Sequence, residues 1–149
     1  MLVIFTDLDG TLLDYDGYQF APAGGGLDHV RMERVPLVFC SSKTFEEQKR
    51  YQREMELEGP LVVENGSAVV LPRGYFAEEA VRAVAEGEAD GVEAAREVRQ
   101  VGTHTRLVLG GSAKEARRAL AEAREETGVR AVGFAEMTPS GIAVTIAKR

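Results

Sequence analysis

Four short apolar runs dominate the first half of the chain and predict buried strands. They occupy residues 2–6, 36–40, 61–64 and 67–71, and several of them are rich in β-branched residues. The first two show no polar alternation, which is typical of strands that are covered on both faces. A polar stretch over 45–57 predicts a helix between the second and third strands. This alternation predicts an α/β fold with a parallel sheet.

Local end signals support the helix over 45–57. Thr44 and Glu47 have the spacing of a capping box, in which each residue satisfies a backbone N–H at the start of a helix. Gly59 and Pro60 then stop the helix. A weaker helix follows the glycines at 24–26, which make its start uncertain because glycine disfavours helix interiors.

The second half of the chain has a different pattern and predicts a separate small lobe. Residues 77–101 are rich in Ala, Glu and Arg and predict helix, broken near 87–91. A strand over 106–110, a helix over 112–127 and a strand over 129–134 predict a second β-α-β unit. In the last stretch, Thr138-Pro139 is typical of a helix start, whereas the following β-branched run favours a strand.

Composition narrows the class of protein. The chain has 149 residues, a formal net charge of -6 and one cysteine, Cys40. An acidic chain is a poor match for nucleic acid, and a single cysteine excludes an internal disulfide. We expect Cys40 to be a small buried apolar residue. No apolar run approaches the roughly 20 residues of a membrane span, and the N-terminus has no secretion-signal pattern. We therefore expect a cytoplasmic protein without a membrane partner.

The first strand runs into DLDGT, which leaves two interpretations open. Asp9-Gly10 between apolar runs is a strong signal for a tight β-hairpin turn. Alternatively, Asp7 and Asp9 lie at the carboxyl end of a strand, where α/β proteins bind ligands. Asp7 could then attack a phosphorus atom, Asp9 could transfer protons, and Gly10 would allow a close approach of the backbone.

Polar residues also follow the next two strands. Ser41, Ser42 and Lys43 precede a helix start, where hydroxyls and amides bind phosphate, although a plain N-cap with an exposed lysine is the alternative. Asn65 and Gly66 follow the third strand, and their alternative is a turn. Three parallel strands that each end in polar groups predict one shared site, and its oxygen-rich chemistry favours Mg²⁺.

These motifs resemble those of the haloacid dehalogenase-type (HAD) phosphatase superfamily. DLDGT matches its first motif, while SSKT and ENGSA resemble the branch with an inserted α/β cap. Residues 41–76 are most similar to the mannosyl-3-phosphoglycerate phosphatase family. The resemblance covers residues 1–76 closely and 104–138 more loosely.

The resemblance implies a fold and a set of roles. Residues 1–76 would form the N-terminal half of a Rossmann-like, three-layer core, and residues 77–149 part of a C2B-type cap. Asp7 would be the nucleophile and Asp9 the general acid and base. The Asp7 side chain and the Asp9 backbone carbonyl would hold Mg²⁺. Phosphate and substrate binding would fall to Gly10, Thr11, Ser41, Ser42, Lys43, Asn65 and Gly66.

The chain departs from the family after the cap-like region. The lysine of the third motif and a GDxxND motif are not found, since Lys114 lies in a helical run, Lys148 is close to the last residue and Asp90 lies in a Gly-rich setting. We expect a truncated or frameshifted member with weak hydrolysis. Apolar surface near 2–6 and 36–40 should then be exposed and drive a homodimer or higher oligomer.

Three functions remain open at this stage. The first is an Mg²⁺-dependent phosphatase acting on mannosyl-3-phosphoglycerate. The second is a catalytically weak or inactive remnant that binds metal or sugar phosphate, or that needs a partner chain. The third is a phosphatase for another sugar phosphate.

Overall fold

The computed structural model describes residues 2–91 and 93–147, the last four of these by backbone alone, so that Lys148 lies outside the described residues. The strands are β1 (Ile4–Thr6), β2 (Leu37–Cys40), β3 (Leu61–Val63), β4 (Ala68–Pro72), β5 (Glu97–Val101) and β6 (His104–Val108). The helices are α1 (Gly24–Met32), α2 (Phe45–Glu54), α3 (Glu78–Glu86), α4 (Ala113–Thr127) and α5 (Pro139–Ala147). Short 3-10 turns cover Ala21–Ala23, Glu64–Gly66 and Phe134–Glu136.

The six strands form one mixed sheet in the order β1-β2-β3-β4-β6-β5. The first three strands are parallel, and α1 and α2 connect them. The neighbours from β3 onward are antiparallel. The α/β fold class is confirmed, while the parallel arrangement applies to β1, β2 and β3.

The apolar core lies around β2 and β3. Phe39, Leu61 and Val63 are fully buried there. Residues from the first loop and from both connecting helices complete the cluster: Leu8, Leu13, Leu27 and Met55. The leucines after DLDGT are therefore part of the core or pack against it. Full burial of a leucine side chain stabilises a fold by about 1.5–3 kcal/mol.

The chain divides into two compact units, residues 1–110 and residues 111–149. The first unit contains the whole sheet, and the second contains α4 and α5. The assignment of residues 77–149 to a cap stays a prediction.

Three predictions in the second half are wrong. Residues 97–101 form β5, not helix, because Gly102-Thr103 turns β5 back onto β6 and the pairing supplies ladder hydrogen bonds. Since β6 joins the sheet of the first unit, it is not part of a separate β-α-β lobe. Residues 129–134 form no strand, since the described part of the second unit offers no strand to pair with.

The capping signals are confirmed. Thr44 and Glu47 form the capping box at the start of α2, and α1 does begin at the glycines, at Gly24. Of the two alternatives for the last stretch, the helix is correct: α5 starts at Pro139, and the Thr138 hydroxyl accepts a hydrogen bond from the Gly141 N–H at 3.2 Å.

The apolar surface expected to be exposed near residues 2–6 is exposed, whereas the apolar residues near 36–40 are largely buried. Leu2 and Phe5 are exposed, with 65% and 67% of their surface accessible, so β1 is not fully buried. Leu37, Val38 and Phe39 of β2 are buried instead. The reason is position, because β1 is the edge strand of the sheet and β2 lies between two neighbours. No helix in the described residues is long and apolar enough to span a bilayer.

Candidate active site

An open cavity of about 510 Å³ lies where the first three strands end. Its walls come from residues that follow β1, β2 and β3, since parallel strands bring their carboxyl ends to one edge of the sheet. Six of the nine residues predicted for the site share this cavity with Cys40 and Val62: Asp7, Asp9, Ser41, Ser42, Asn65 and Gly66. Of the three others, Gly10 and Lys43 directly follow cavity residues in the chain, and Thr11 comes one position later, after Gly10.

The DLDGT segment forms a tight loop and not a hairpin. The Leu8 carbonyl accepts hydrogen bonds from the N–H groups of Thr11, Leu12 and Leu13. These hydrogen bonds turn the chain sharply just after Asp9. The hairpin interpretation is therefore wrong, because β1 has no antiparallel return strand among the described residues. The Asp7 carboxylate accepts the Leu8 N–H at 2.7 Å, which helps to fix its direction.

Gly10 is required by this loop for two reasons. Its φ of +71° lies in the left-handed region that disfavours side chains. A Cβ atom at Gly10 would also lie 2.1 Å from the Tyr15 ring, which packs over the glycine. Glycine at this position therefore allows both the left-handed turn and the close packing of the Tyr15 ring.

Lys43 links the second motif to the first. Its Nζ lies 2.8 Å from Asp9 Oδ1 and 4.7 Å from the centroid of the Tyr18 ring. A second ring, Tyr51, lies 6.0 Å away. Burial lowers the pKa of Lys43, but the contact with Asp9 outweighs it, so that the pKa is raised overall. Lys43 therefore carries a positive charge beside Asp9 at neutral pH.

Gln48, a residue that was not predicted for the site, supports the Ser41–Lys43 turn from behind. This side chain is fully buried, and its Nε2 donates to the carbonyls of Lys43 and Val62 at 3.0 Å each. A third contact reaches the Ser41 carbonyl at 3.5 Å. A glutamine among the charged residues of α2 does not indicate burial by its residue type. The one available signal is its spacing, three residues after Phe45 and seven before Met55, which both contact the apolar core.

The loop after β3 has an unusual backbone. Glu64, Asn65 and Gly66 have φ values of 52°, 57° and 86°, three successive left-handed residues. Asparagine and glycine tolerate this region, but for glutamate it costs roughly 1–2 kcal/mol. The N–H groups of Glu64 and Asn65 donate to the carbonyls of Lys43 and Ser41, which ties the loop to the second motif.

Cys40 lies in the cavity wall and is only partly buried, contrary to the expectation of a core residue. Burial raises the pKa of its thiol, and the negative charge of Asp7 raises it further. The thiol therefore stays protonated at neutral pH and is a poor nucleophile. Of the cavity groups, the carboxylates are better placed for nucleophilic attack.

The donor set of the cavity fits a magnesium ion. In residues 2–91 and 93–147, no three Asp, Glu, His or Cys side chains gather into a metal-binding cluster. Two carboxylates, Asp7 and Asp9, do line the cavity together. Mg²⁺ keeps several waters and is commonly held by one or two carboxylates and a substrate phosphate. Such a set suits Mg²⁺ better than a metal that requires several protein ligands.

Comparisons with known proteins agree with these motifs. The profile of the haloacid dehalogenase-like hydrolases matches residues 4–85. A protein of Methanococcoides burtonii named glucosyl-3-phosphoglycerate/mannosyl-3-phosphoglycerate phosphatase is 33% identical over 140 residues, which are 94% of this chain and 46% of that protein. A protein of the same name from Persephonella marina is 47% identical over 74 residues, 50% of this chain and 28% of that protein.

The chain thus spans about half the length, or less, of the curated relatives that it matches. Among solved structures, the sucrose-phosphatase of a Synechocystis species has a TM-score of 0.39 at 17% identity, over 86% of this chain and 57% of that chain.

Proposed function

The chain belongs to the haloacid dehalogenase-like hydrolase family, and from this premise we propose that it hydrolyses a phosphomonoester of a sugar derivative through attack by Asp7. One observation carries this proposal: Asp7 and Asp9 open into the same cavity as Ser41 and Asn65. A carboxylate nucleophile, a second carboxylate for proton transfer and polar groups for the phosphoryl oxygens are what such a reaction needs.

The proposed binding step uses the polar wall of the cavity. The hydroxyls of Ser41 and Ser42 and the amide of Asn65 donate to the phosphoryl oxygens, and the nearby charge of Lys43 favours the anion. Binding in this place puts the phosphorus in front of the Asp7 carboxylate.

The proposed chemistry has two displacements. An oxygen of Asp7 attacks the phosphorus, the bond from phosphorus to the sugar oxygen breaks, and Asp9 gives its proton to the leaving oxygen. A water then attacks the aspartyl-phosphate and gives a proton to Asp9, so that phosphate leaves and Asp7 is regenerated. The Leu8 N–H, 2.7 Å from Asp7 Oδ1, orients the nucleophile.

Mg²⁺ is part of this proposal as the family's cofactor. The Asp7 side chain and the Asp9 backbone carbonyl are the groups that would hold it. When bound, the ion neutralises negative charge on the carboxylate and the phosphoryl group.

For the substrate, we propose mannosyl-3-phosphoglycerate, because two relatives carry a name that contains this compound. Its glucosyl counterpart, which stands in the same name, and other sugar phosphates are the alternatives within this class.

A second candidate is a weak or inactive phosphate-binding chain that functions with another copy or another polypeptide. The observation that favours it is that, among the described residues, two carboxylates line the cavity, those of Asp7 and Asp9. The exposed apolar side chains of Leu2, just before β1, and of Phe5 on β1 are consistent with a homodimer or higher oligomer. Light scattering gives the test, and a monodisperse monomer would argue against association.

The deciding experiment measures phosphate release from mannosyl-3-phosphoglycerate with Mg²⁺ and with EDTA. We expect Asp7→Asn to abolish release, because an amide cannot form the aspartyl-phosphate. The matched control is Asp16→Asn, an exposed aspartate of the next loop that does not line the cavity, and its activity should equal the wild type. Full turnover by Asp7→Asn would refute the mechanism. Phosphate binding without release would favour the second candidate.

A further inference from the structure

One ion pair joins the outer part of the sheet to the loop that lines the cavity. Arg106 on β6 donates from Nη2 to Glu64 Oε2 at 2.8 Å, across 42 positions of sequence. Among the described residues, the buried Arg106 Nε has no hydrogen-bond partner. The contact with Glu64 is therefore a principal determinant of where the guanidinium points.

Glu64 is the first of the three left-handed residues, and its backbone is held at several points. Its N–H donates to the Lys43 carbonyl at 3.1 Å, and its own carbonyl accepts from the Ser67 hydroxyl at 2.8 Å. The Ser67 carbonyl in turn accepts from the N–H groups of Leu109 and Gly110, just after β6. Side-chain and backbone contacts thus both join this loop to β6.

The same loop supplies Asn65 and Gly66 to the cavity wall. A non-glycine residue in the left-handed region persists when its surroundings hold it there, and such residues cluster at functional sites. Release of the Glu64 side chain would remove one of the contacts that keep its backbone from returning to a common conformation. Because the N–H of Asn65 donates to the Ser41 carbonyl, such a change would also disturb the second motif.

We propose that Arg106 and Glu64 form a clamp that holds the Asn65–Gly66 wall in its binding geometry, so that both are positioning residues for the phosphate group. This inference rests on the proposed function, since it assumes that the cavity binds a phosphoester. It also gives the outer strand β6 a direct effect on binding, although Arg106 itself does not line the cavity.

The ordinary alternative is a surface ion pair without function, since exposed pairs commonly contribute little. The chain offers a matched control for it. Arg99 on β5 is the direct cross-strand neighbour of Arg106, and it pairs with the exposed Glu97 on its own strand. Arg99→Met removes the same charge from the same sheet without touching the loop.

The experiment is titration calorimetry with inorganic phosphate at fixed pH and salt, on the whole 149-residue chain. We expect Arg106→Met to weaken phosphate binding about tenfold, the scale of one displaced hydrogen-bonding group, and Arg99→Met to leave binding unchanged. Arg106→Lys should retain most of the affinity. Glu64→Met should weaken binding as Arg106→Met does, and the double variant no more than either single one. In the hydrolysis assay, KM should rise while kcat is kept.

Thermal unfolding of each variant separates lost positioning from lost folding. The clamp would be overturned if Arg106→Met bound phosphate as tightly as Arg99→Met. It would also be overturned if the effects of the two single variants multiplied in the double variant. If Arg106→Met does not fold, Glu64→Met decides by the same comparison. A wild type that binds no phosphate would overturn both the clamp and the proposed site. A wild type that binds but does not hydrolyse phosphoesters would contradict the proposed function alone.

Discussion

Replacing Gln48 by leucine tests how strongly the cavity depends on a buried side chain behind it. Leucine has nearly the same size, so the change removes polar contacts without a large cavity. Gln48 contributes two hydrogen bonds of 3.0 Å, to the carbonyls of Lys43 and Val62. A typical net contribution of about 1 kcal/mol for each gives a loss of about 2 kcal/mol.

Two features reduce that figure. The carbonyls of Lys43 and Val62 also accept from backbone N–H groups, of Glu64 and Ser41, and so keep a partner in the variant. The Oε1 atom of Gln48 is buried without a hydrogen-bond partner in the described part of the chain, so that its removal regains part of the cost. We therefore expect a loss of about 1–2 kcal/mol in the free energy of unfolding. We also expect weaker phosphate binding, because the Ser41–Lys43 turn loses its support.

The matched control is Gln52→Leu, one helical turn further along α2. Gln52 is equally buried and donates to the Gly59 carbonyl at 3.1 Å, away from the cavity. Urea unfolding followed by far-ultraviolet circular dichroism suits a chain without tryptophan. Both variants should lose stability, and Gln48→Leu alone should lose phosphate affinity. Equal affinities in the two variants would refute the idea that Gln48 supports the site.

Three further predictions concern the turn, the pH dependence and the helix start. Gly10→Ala should lower the melting temperature and phosphate affinity, because the φ of +71° at this position strains any residue that carries a Cβ; an unchanged melting temperature would contradict this reason. Burial and the charge of Lys49 lower the pKa of His104, so the folded chain binds its proton less readily than the unfolded chain. The free energy of unfolding should therefore fall as pH drops below about 6.5. In urea unfolding between pH 7 and pH 5, His104→Gln should make the free energy of unfolding less dependent on pH; an unchanged pH dependence would contradict the role given to His104. Thr44→Ala should cost about 1 kcal/mol in the same assay through loss of the capping box, and a change near zero would count against it.

Much of the site could be predicted because its signals are local. Asp7, Ser41 and Asn65 each follow an apolar run directly, and parallel strands necessarily bring such ends to one edge of the sheet. The capping box at Thr44 depends on two residues three positions apart, which the sequence displays directly. Signals of this kind can be recognised in the sequence without any knowledge of the rest of the fold.

Predictions failed where structure depends on a distant partner. Residues 97–101 have the composition of a helix, yet they pair with β6, whereas residues 129–134 have the composition of a strand and find no strand to pair with in the described part of their unit. Strand formation requires hydrogen bonds to another segment, so that composition alone cannot decide it.

The sequence by itself determined which residues meet at the end of the first three strands, because each short apolar run and the polar residues after it can be recognised from neighbouring positions alone. The tertiary structure alone decided what holds them there. The Lys43–Asp9 contact, the Gln48 hydrogen bonds and the Arg106–Glu64 pair join residues that lie 5 to 42 positions apart. These contacts form because burial makes unpaired polar groups costly, and the nearest available partners are set by packing and not by sequence neighbourhood.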